Sequence, residues 1–381
     1  MVAAKSKIIK LLNSAGIQVN GSKPWDMQVH NEQLYNRVII HGSVGLGEAY
    51  MDGWWDADEL DSFFTRILKA DLYNAFSYTP ANILLYIRTL LTNMQSRKKA
   101  FQIGEHHYDI GNDLYQVMLD ERMVYTCGYW QESEDLSQAQ IAKLDLVCRK
   151  IGLSSGQKVL DIGCGWGGFA RYASEMYGAK VTGITVSRKQ AEIAQECCRG
   201  LPVEIRIQDY RDVSETFDHI VSLGMLEHVG SKNYREYIQK VHDCLSDDGL
   251  FLLHTIGSSV SVRKTDPWID KYIFPNSMLP SITQLGSAFE GLMVMEDWHN
   301  FGPDYDKTLM AWFHNFNRGW NQLKDNYSER FYRMWKYFLL MSAGSFRSRT
   351  NQVWQIVLSK TGLPEGYRRR GIYQVQDLNV Y

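Results

Sequence analysis

The sequence predicts an α/β fold with a doubly wound, mostly parallel sheet and a smaller, mainly helical N-terminal domain. Between residues 158 and 254, short apolar stretches typical of strands alternate with amphipathic helical stretches, the pattern of a parallel sheet covered by helices. A glycine-rich turn follows the first of these strands at residues 163–168. Residues 1–95 lack this alternation, and their apolar side chains recur mainly at helical spacing.

The spacing of apolar residues places the elements of the sheet region. The first strand, residues 159–162, leads through the turn into a helix that begins near Phe169. A helix before this strand is expected to start near Ser137, which forms a capping box with Gln140. Further strands are predicted at residues 180–184, 203–208, 217–223 and 250–254, helices at 189–197 and 232–245, and a turn at 247–249.

The N-terminal region is predicted to hold a helix around residues 8–12, extended pieces at 25–30 and 37–40, and helical structure over 60–91. Its apolar side is expected to pack internally, with a membrane-facing stripe as the alternative. The polar, basic residues 95–99 and the arginine run 368–370 each indicate a solvated surface segment or a contact with phosphate headgroups. A cation near an anionic membrane surface contributes about 1 kcal/mol to binding.

Composition excludes several classes of protein. With 41 basic and 43 acidic residues, the chain is not the strongly basic type expected of a general nucleic-acid binder. None of the 6 cysteines forms a Cys-x-x-Cys pair, so neither a zinc site nor a disulfide framework is predicted. The sequence shows no signal peptide and no apolar run long enough to span a bilayer. We therefore expect a cytoplasmic protein whose membrane contact is peripheral.

The glycine turn is the strongest indication of a ligand. Glycine at positions 163, 165 and 167 lets the backbone turn sharply and approach a ligand at the carboxyl edge of the sheet. No Lys-Ser or Lys-Thr pair follows, which argues against a phosphate-binding loop. Asp161, just before the turn, suits a positively charged ligand. S-adenosylmethionine (SAM) carries an ammonium and a sulfonium, so we predict a Rossmann-like SAM-binding fold, with a purely structural turn as the alternative.

Other polar residues are expected at the same edge, because ligands of such folds lie beyond the C-terminal ends of the strands. Thr185, Asp209, Glu227 and His254 each end or follow a predicted strand. Residues 267–360 are dense in aromatic side chains, which form helix core or line an apolar tunnel over this edge.

Several motifs together resemble one family, the cyclopropane-fatty-acyl-phospholipid synthases. The glycine turn alone indicates only a SAM-dependent methyltransferase, whereas the Glu-His-Val-Gly, His-Thr-Ile-Gly and Trp-His-Asn-Phe-Gly segments are far more specific. The N-terminal region favours the bacterial phospholipid enzymes over the related mycolic-acid cyclopropane synthases, which lack a comparable domain. The matching segments are residues 42–55, 108–113, 125–127, 159–168, 224–230, 254–257 and 297–302.

The resemblance implies a reaction, a domain organisation and a setting. The SAM methyl group is transferred to the cis double bond of an unsaturated acyl chain in a membrane phospholipid, a carbocation forms, and a bound bicarbonate removes a proton so that a cyclopropane ring closes. It further implies a small lipid- or membrane-associated domain at residues 1–95, a linker at 96–107 and a SAM-dependent catalytic domain at 108–381. A homodimer at the inner face of the cell membrane is also expected.

The resemblance also assigns residues to the site. The bicarbonate would be held by Cys127, Glu227, His254 and Tyr305, which form the catalytic set, together with the backbone of Ile256. For SAM, the backbone of the three glycines should contact the amino-acid end, and no acid stands at the end of the second strand for the ribose. The other expected SAM-binding residues are Tyr125 and Thr126 at the carboxylate, Thr185 and Gln190 at the ribose, and Asp209 and Tyr210 at the adenine.

Elementary chemistry is consistent with these assignments. An alkene has no proton for a base to remove, so its attack on SAM depends on alignment and exclusion of water. Aromatic faces stabilise a carbocation without attacking it. A small anion held by several donors suits the later proton removal. Taken singly, Cys127, His254 and Tyr305 are more often ordinary buried residues, and their joint placement at one edge favours a site.

Two other functions remain open from the sequence. One is a SAM-dependent methyltransferase that yields a methyl-branched or methylene lipid, or that methylates a small amine. The other is a lipid-binding protein with an inactive enzyme fold, against which the intact glycine turn argues.

Overall fold

The N-terminal region folds mainly into helices. The computed structural model describes residues 2–72, 111–262 and 264–369. In the first of these ranges, helix α2 is interrupted at Gly42, whose φ of 57° and ψ of −131° are not helical. The elements are α1 (Val2–Ser14), β1 (Gln28–Val29), α2 (Gln33–Met51), β2 (Trp55–Asp56) and α3 (Leu60–Lys69), with β1 and β2 paired antiparallel.

From residue 158 to residue 258 the strands and helices follow the predicted order. Among the described residues, two helices precede this part, and two long helices lie near the end of the chain. In order they are α4 (Asn112–Met118), α5 (Leu136–Lys150), β3 (Lys158–Ile162), α6 (Gly168–Tyr177), β4 (Lys180–Thr185), α7 (Arg188–Cys197), β5 (Val203–Ile207), β6 (Phe217–Leu223), α8 (Tyr234–Cys244), β7 (Leu245–Ser258), α9 (Pro267–Tyr272), α10 (Ile282–Phe289), β8 (Val294–Asn300), α11 (Pro303–Leu323), α12 (Glu329–Arg347) and β9 (Asn351–Ser359).

Within the described ranges, the central sheet has 7 strands in the order β5-β4-β3-β6-β7-β9-β8. Strands β3 to β7 pair in parallel, whereas β9 pairs antiparallel with both β7 and β8. Starting from β3, the chain adds β4 and β5 on one side and β6 and β7 on the other, so the strand order reverses between β3 and β6. The carboxyl ends of β3 and β6 therefore form the switch point where ligands of doubly wound sheets bind. This arrangement confirms the predicted doubly wound, mostly parallel sheet.

Three local predictions were wrong. The first is the capping box of Ser137 and Gln140: helix α5 begins at Leu136, close to the predicted start, but its cap is Asp135, whose side chain accepts from the backbone N–H of Gln138. The predicted turn at residues 247–249 is an irregularity inside β7, where pairing with β6 jumps from Leu245 to Leu250. Residues 37–40 lie in α2 and are not extended.

Some predictions fall outside the described residues. These are most of the helical stretch at 60–91, of which α3 is the described part, the linker at 96–107, and the motif residues 108–110. The division of the chain into domains therefore stays a prediction. Among the helices that the structure describes, none has the length and hydropathy required to cross a bilayer.

The N-terminal elements share a hydrophobic core with the helices near the end of the chain. Buried side chains of α3, such as Phe64, belong to the same cluster as Tyr337 of α12, and their rings meet edge to face with centroids 5.0 Å apart. Gly344 of α12 also lies so close to α3 that an added Cβ would be 2.8 Å from the backbone oxygen of Asp61. Residues 2–72 therefore complete the packing of α12.

Candidate active site

A glycine turn at the end of β3 forms the floor of the site. Gly163, Gly165 and Gly167 have φ angles of 82°, 54° and 84°, in the left-handed region that favours glycine. A Cβ at Gly163 would lie 2.8 Å from the Met225 side chain, so the turn tolerates no larger residue there. Gly167 is the residue before α6, and the backbone therefore enters this helix directly from the turn. The three glycines do what the sequence predicts at this edge of the sheet.

A cavity of about 80 Å³ opens over the turn. It contains five of the residues predicted to bind the cofactor: Tyr125, Thr126, Gly163, Gly165 and Gln190. The rest of its lining comes from the loop before α5, from α5 itself, from β3 and the turn, and from the end of β6: Met123, Val124, Lys143, Leu144, Asp161, Cys164, Trp166, Gly168, Phe169, Leu223 and Gly224.

The remaining predicted cofactor residues surround this cavity without lining it. The Thr185 hydroxyl donates to Oε1 of Gln190 over 3.0 Å, which fixes the one lining residue from α7. Asp209 follows β5 and accepts from both the backbone and the side chain of Arg211. The neighbouring Tyr210 ring packs edge to face on Tyr237 at 4.9 Å. Asp209 and Tyr210 therefore lie at the same sheet edge, beyond the lining of the cavity.

A larger cavity lies elsewhere and has no connection with the predicted residues. It measures about 460 Å³ and is formed by α1, the start of α2 and the segment between them, with Lys5, Gln18, Glu32 and Tyr35 among its lining. None of the predicted site residues contributes to it, so size does not decide which cavity is functional here.

Helix α5 holds the loop that carries Tyr125 and Thr126. The side-chain amide of Gln140 donates to the backbone oxygen of Thr126 over 2.8 Å, and Nζ of Lys143 donates to the Thr126 hydroxyl over 2.8 Å. Both α5 side chains are 0% exposed. Burial lowers the pKa of Lys143 to about 8 and raises that of Asp161, which lines the same cavity, to about 7.

Glu227 is tied to strand β7 at the same edge. Its Oε1 accepts from the backbone N–H of Ile256 over 2.7 Å. Its Oε2 is buried and has no hydrogen-bond partner among the residues that the structure describes. Burial raises the pKa of Glu227, and the Ile256 N–H and the Thr255 side chain both oppose this effect. The backbone N–H of Ile256 is thus used by Oε1 of Glu227. The other carboxylate oxygen, Oε2, is the atom of Glu227 that could accept a hydrogen bond from a ligand.

His254 lies two residues before Ile256 on the same face of β7 and is 2% exposed. Its Nδ1 is 3.4 Å from the side-chain nitrogen of Gln355, its partner across the β7–β9 pairing. With the Gln355 amide in this orientation, its nitrogen donates to Nδ1, and the proton of the neutral ring is then on Nε2. Burial lowers the pKa of His254 well below its usual range, with Lys143 and Lys150 adding to the effect, and the ring is neutral.

Helix α11 carries Tyr305 and contacts Cys127 through Thr308. The Cys127 thiol is fully buried and lies 3.9 Å from the hydroxyl of Thr308, one turn along α11 from Tyr305. Burial raises the pKa of Cys127 well above its usual range, so this thiol is protonated and inert as a nucleophile. The Tyr305 ring stacks on Phe346 at 4.6 Å and meets Trp312 edge to face at 5.9 Å.

The structure thus arranges the predicted catalytic residues in two groups. Glu227, His254 and Ile256 are joined along β6 and β7, and Cys127 and Tyr305 along the 125–128 loop and α11. The charge of Lys143 opposes the rise in the pKa of Cys127 and adds to the fall in the pKa of His254. One residue of each group therefore lies within electrostatic range of α5.

Sequence reasoning missed three residues of this region. Lys143 lies inside a predicted helix, where a lysine usually faces solvent, and Gln140 was assigned only a capping role at the start of that helix. Only their burial distinguishes them as site residues. Gln355 lies on β9, a strand outside the predicted alternation, and its antiparallel position beside β7 gave no local signal.

Comparisons with known proteins agree with this geometry. A family model described as mycolic acid cyclopropane synthetase matches residues 95–356. A cyclopropane-fatty-acyl-phospholipid synthase of Escherichia coli strain K12 is 51% identical over 359 residues, 94% of each chain. A probable fatty acid methyltransferase of Pseudomonas putida is 36% identical, over 67% of this chain and 68% of its own.

A solved structure resembles the same region. The mycolic acid cyclopropane synthase CmaA1, complexed with SAH and CTAB, superposes with a TM-score of 0.64 at 30% identity. The match covers 98% of that chain and 68% of this one. The part of the present chain without a counterpart there is consistent with an additional region beyond the catalytic fold.

Proposed function

Because this chain belongs to the mycolic acid cyclopropane synthetase family, we propose that it converts the cis double bond of an unsaturated phospholipid acyl chain into a cyclopropane ring, with SAM as the source of the methylene group. The observation that carries the proposal is the placement of Glu227 and His254. Both are buried, and Glu227 follows Gly224, which lines the cavity over the glycine turn. The similarity to the Escherichia coli synthase over 94% of both chains supports the phospholipid substrate.

The chemistry of the buried polar groups fits bicarbonate, which has anionic oxygens and one hydroxyl. Oε2 of Glu227 is an unpartnered acceptor for a hydroxyl, and Nε2–H of His254 is a donor for an anionic oxygen. Tyr305 and Cys127 would add hydroxyl and thiol donors, and Ile256 would act by fixing Glu227. When bound, SAM supplies an electrophilic methyl group and bicarbonate supplies a base.

The residues of this chain align the substrate with the methyl group, exclude water from the site and stabilise the carbocation. The rings of Tyr125, Trp312, Tyr305 and Phe346 contact one another in sequence beside the site, with centroid distances of 4.6–5.9 Å. Such faces exclude water and stabilise a carbocation without reacting with it. The neutral state of His254 prevents it from adding a positive charge near that cation.

The membrane setting belongs to the same proposal. An acyl chain inside a bilayer has to be reached from its surface, so we propose peripheral contact with the inner face of the cell membrane. A homodimer is proposed from the family resemblance, and sedimentation equilibrium of the full chain tests it. Co-sedimentation with vesicles tests the membrane contact, with retention of the protein in the supernatant contradicting it.

The experiment for the activity uses the full chain, SAM and vesicles of a cis-unsaturated phospholipid. We expect each modified acyl chain to gain the mass of CH₂, to lose its olefinic proton signals and to show high-field cyclopropane protons. Vesicles of saturated phospholipid serve as the control and should gain no mass.

Other outcomes identify the alternatives. Retained olefinic signals with the same mass gain would indicate a methylene lipid. A methyl doublet with a mass gain of CH₄, formed only when a hydride donor is also added, would indicate a methyl-branched chain. Methylation of an added small amine, with the lipid unchanged, would indicate an amine methyltransferase. Vesicle binding without any transfer would indicate a lipid-binding protein.

A further inference from the structure

The cavity over the glycine turn contains a buried cation whose hydrogen bonds are incomplete. Lys143 is 0% exposed and lines this cavity. An ammonium group has three N–H donors. Within the described residues, Nζ of Lys143 donates a hydrogen bond to the Thr126 hydroxyl over 2.8 Å. A buried charge with so few partners is costly unless another group completes it.

A buried carboxyl group with the same deficiency lines the same cavity. Asp161 is 1% exposed, and its Oδ2 has no hydrogen-bond partner among the described residues. Lys143 and Asp161 interact electrostatically, but no direct ion pair joins them in the part of the chain that the structure describes. The cavity therefore presents an ammonium group and a carboxyl group, a pair of groups that is complementary to the two ends of a zwitterion.

The hydrogen bond from Lys143 to Thr126 determines the direction in which the threonine hydroxyl can donate its own proton. Because the lysine ammonium only donates, Oγ1 of Thr126 is its acceptor, and the hydroxyl proton is left for another acceptor. The Thr126 methyl group lies against Gly224, where an added Cβ would be 2.6 Å from it, so a side chain at position 224 would displace Thr126. Gln140 holds the backbone oxygen of the same residue.

We infer that Lys143 anchors the carboxylate of the cofactor's amino-acid end, together with the hydroxyl of Thr126, whose donor direction it sets. Asp161 then complements the ammonium of the same amino-acid end. This inference rests on the proposed function, since it assigns the recognition of SAM to side chains of the proposed site. Burial leaves Lys143 mainly charged at pH 7, because its pKa is lowered only to about 8.

The test measures the affinity of the full chain for three ligands by titration calorimetry. S-adenosylhomocysteine has both the ammonium and the carboxylate, its decarboxylated analogue keeps only the ammonium, and 5′-methylthioadenosine has neither. For the unchanged protein we expect the loss of the carboxylate to weaken binding at least about tenfold, the effect of hydrogen bonds to a charged group.

Substitutions then locate the interaction. In Lys143→Met the affinity for S-adenosylhomocysteine should fall at least about tenfold, while the other two ligands bind within about twofold of the unchanged protein. Thr126→Val should show the same selective loss, and Thr126→Ser, which keeps the hydroxyl, should not. The double variant Lys143→Met with Thr126→Val should lose little beyond either single variant, because both act on one carboxylate.

A structural role for Lys143 gives a different result. If Lys143 only supports the fold, all three ligands weaken together in Lys143→Met, or none does, and either result overturns the inference. Should Lys143→Met fail to fold, the comparison of Thr126→Val with Thr126→Ser decides by the same criterion. If the unchanged protein binds none of the three ligands, the proposed SAM dependence fails and the inference fails with it.

Discussion

Oε1 of Glu227 accepts a hydrogen bond from the backbone N–H of Ile256, 2.7 Å away, while Oε2 of the same carboxylate is buried without a described partner. The backbone bond fixes the carboxylate across the ends of β6 and β7. Its second oxygen is thereby held in one direction, as a group that serves a small bound anion requires.

This relationship predicts the effect of Glu227→Gln. The amide replaces an acceptor with a donor on one side and should lower turnover by about a hundredfold, the lower range for a lost acid–base contribution. Affinity for S-adenosylhomocysteine should change far less. Steady-state kinetics and calorimetry measure the two effects. Glu192→Gln, at an exposed position of α7, is the matched control and should change neither. Equal losses of turnover and affinity would show that Glu227 mainly holds the cofactor.

Gln355 is predicted to determine the tautomer of His254. Removing its amide in Gln355→Leu takes away the donor at Nδ1 and should allow a mixture of tautomers, with turnover reduced by about tenfold or more. ¹⁵N NMR of histidine-labelled protein reports the proton position directly. We expect Nε2–H in the unchanged protein and a mixed population in the variant. An unaltered His254 spectrum together with unaltered turnover would rule out this role.

Asp161 is predicted to make the stability of the ligand-free protein depend on pH. Burial raises its pKa from 3.8 to about 7, so its neutral form is favoured by folding. A raised folded-state pKa contributes stability that is present below pH 3.8 and is lost as the pH rises through about 7. Between pH 5 and 8 the unchanged protein should lose about 2–3 kcal/mol more stability than Asp161→Asn.

Denaturant unfolding at the two pH values measures this difference. The comparison between the two proteins removes the contribution of other titrating groups, of which Lys143 is the nearest with a perturbed pKa. Parallel pH profiles for the two proteins would mean that Asp161 is ionised throughout and already has a partner.

The N-terminal region should stabilise α12 through Arg333. This side chain donates to the backbone oxygens of Tyr50 and Trp55 over 2.6 and 3.0 Å and to Asp56 over 2.7 Å. Arg333→Met should therefore lower the free energy of unfolding by about 2–3 kcal/mol. Amide hydrogen exchange should rise in both residues 50–56 and α12.

Arg330 provides the matched control on the same helix. Its side chain is 48% exposed, and within the described residues it pairs with Asp52 and hydrogen-bonds to Tyr272. Arg330→Met should cost less than about 1 kcal/mol, the usual worth of an exposed pair. Similar losses for the two variants would contradict the idea that the contacts of Arg333 join the N-terminal region to α12.

The shared core also leads us to expect that deletion of residues 1–95 destabilises the remaining chain. Such a deletion is therefore a poor test of membrane function.

The sequence predicts the sheet well because its signals are local. A buried strand followed by Gly163, Gly165 and Gly167 leaves few conformations, and the structure shows all three in the left-handed region. Residues 37–40 alternate weakly and were predicted as extended, yet they lie in α2, where the shared core buries Val38. Tertiary packing determines the helical conformation of residues 37–40, and no local sequence pattern indicates it.

The site was predicted only in part, for a related reason. Glu227 and His254 follow strands of the alternating region, so their edge of the sheet follows from topology. Lys143 was missed because a lysine inside an amphipathic helix usually faces water, and its burial depends on the distant 124–126 loop. Gln355 was missed because β9 joins β7 in antiparallel pairing after more than ninety residues of intervening chain, and register over that distance leaves no pattern in the sequence.

The most direct test of the central claim follows the fate of a labelled methyl group. The full chain is incubated with SAM carrying a trideuterated methyl and vesicles of a cis-unsaturated phospholipid, and the acyl chains are analysed by mass spectrometry and NMR. We predict a cyclopropane that keeps two deuterons and has lost one to solvent, without olefinic signals. A product that keeps all three deuterons, or a lipid left unlabelled, would contradict the account.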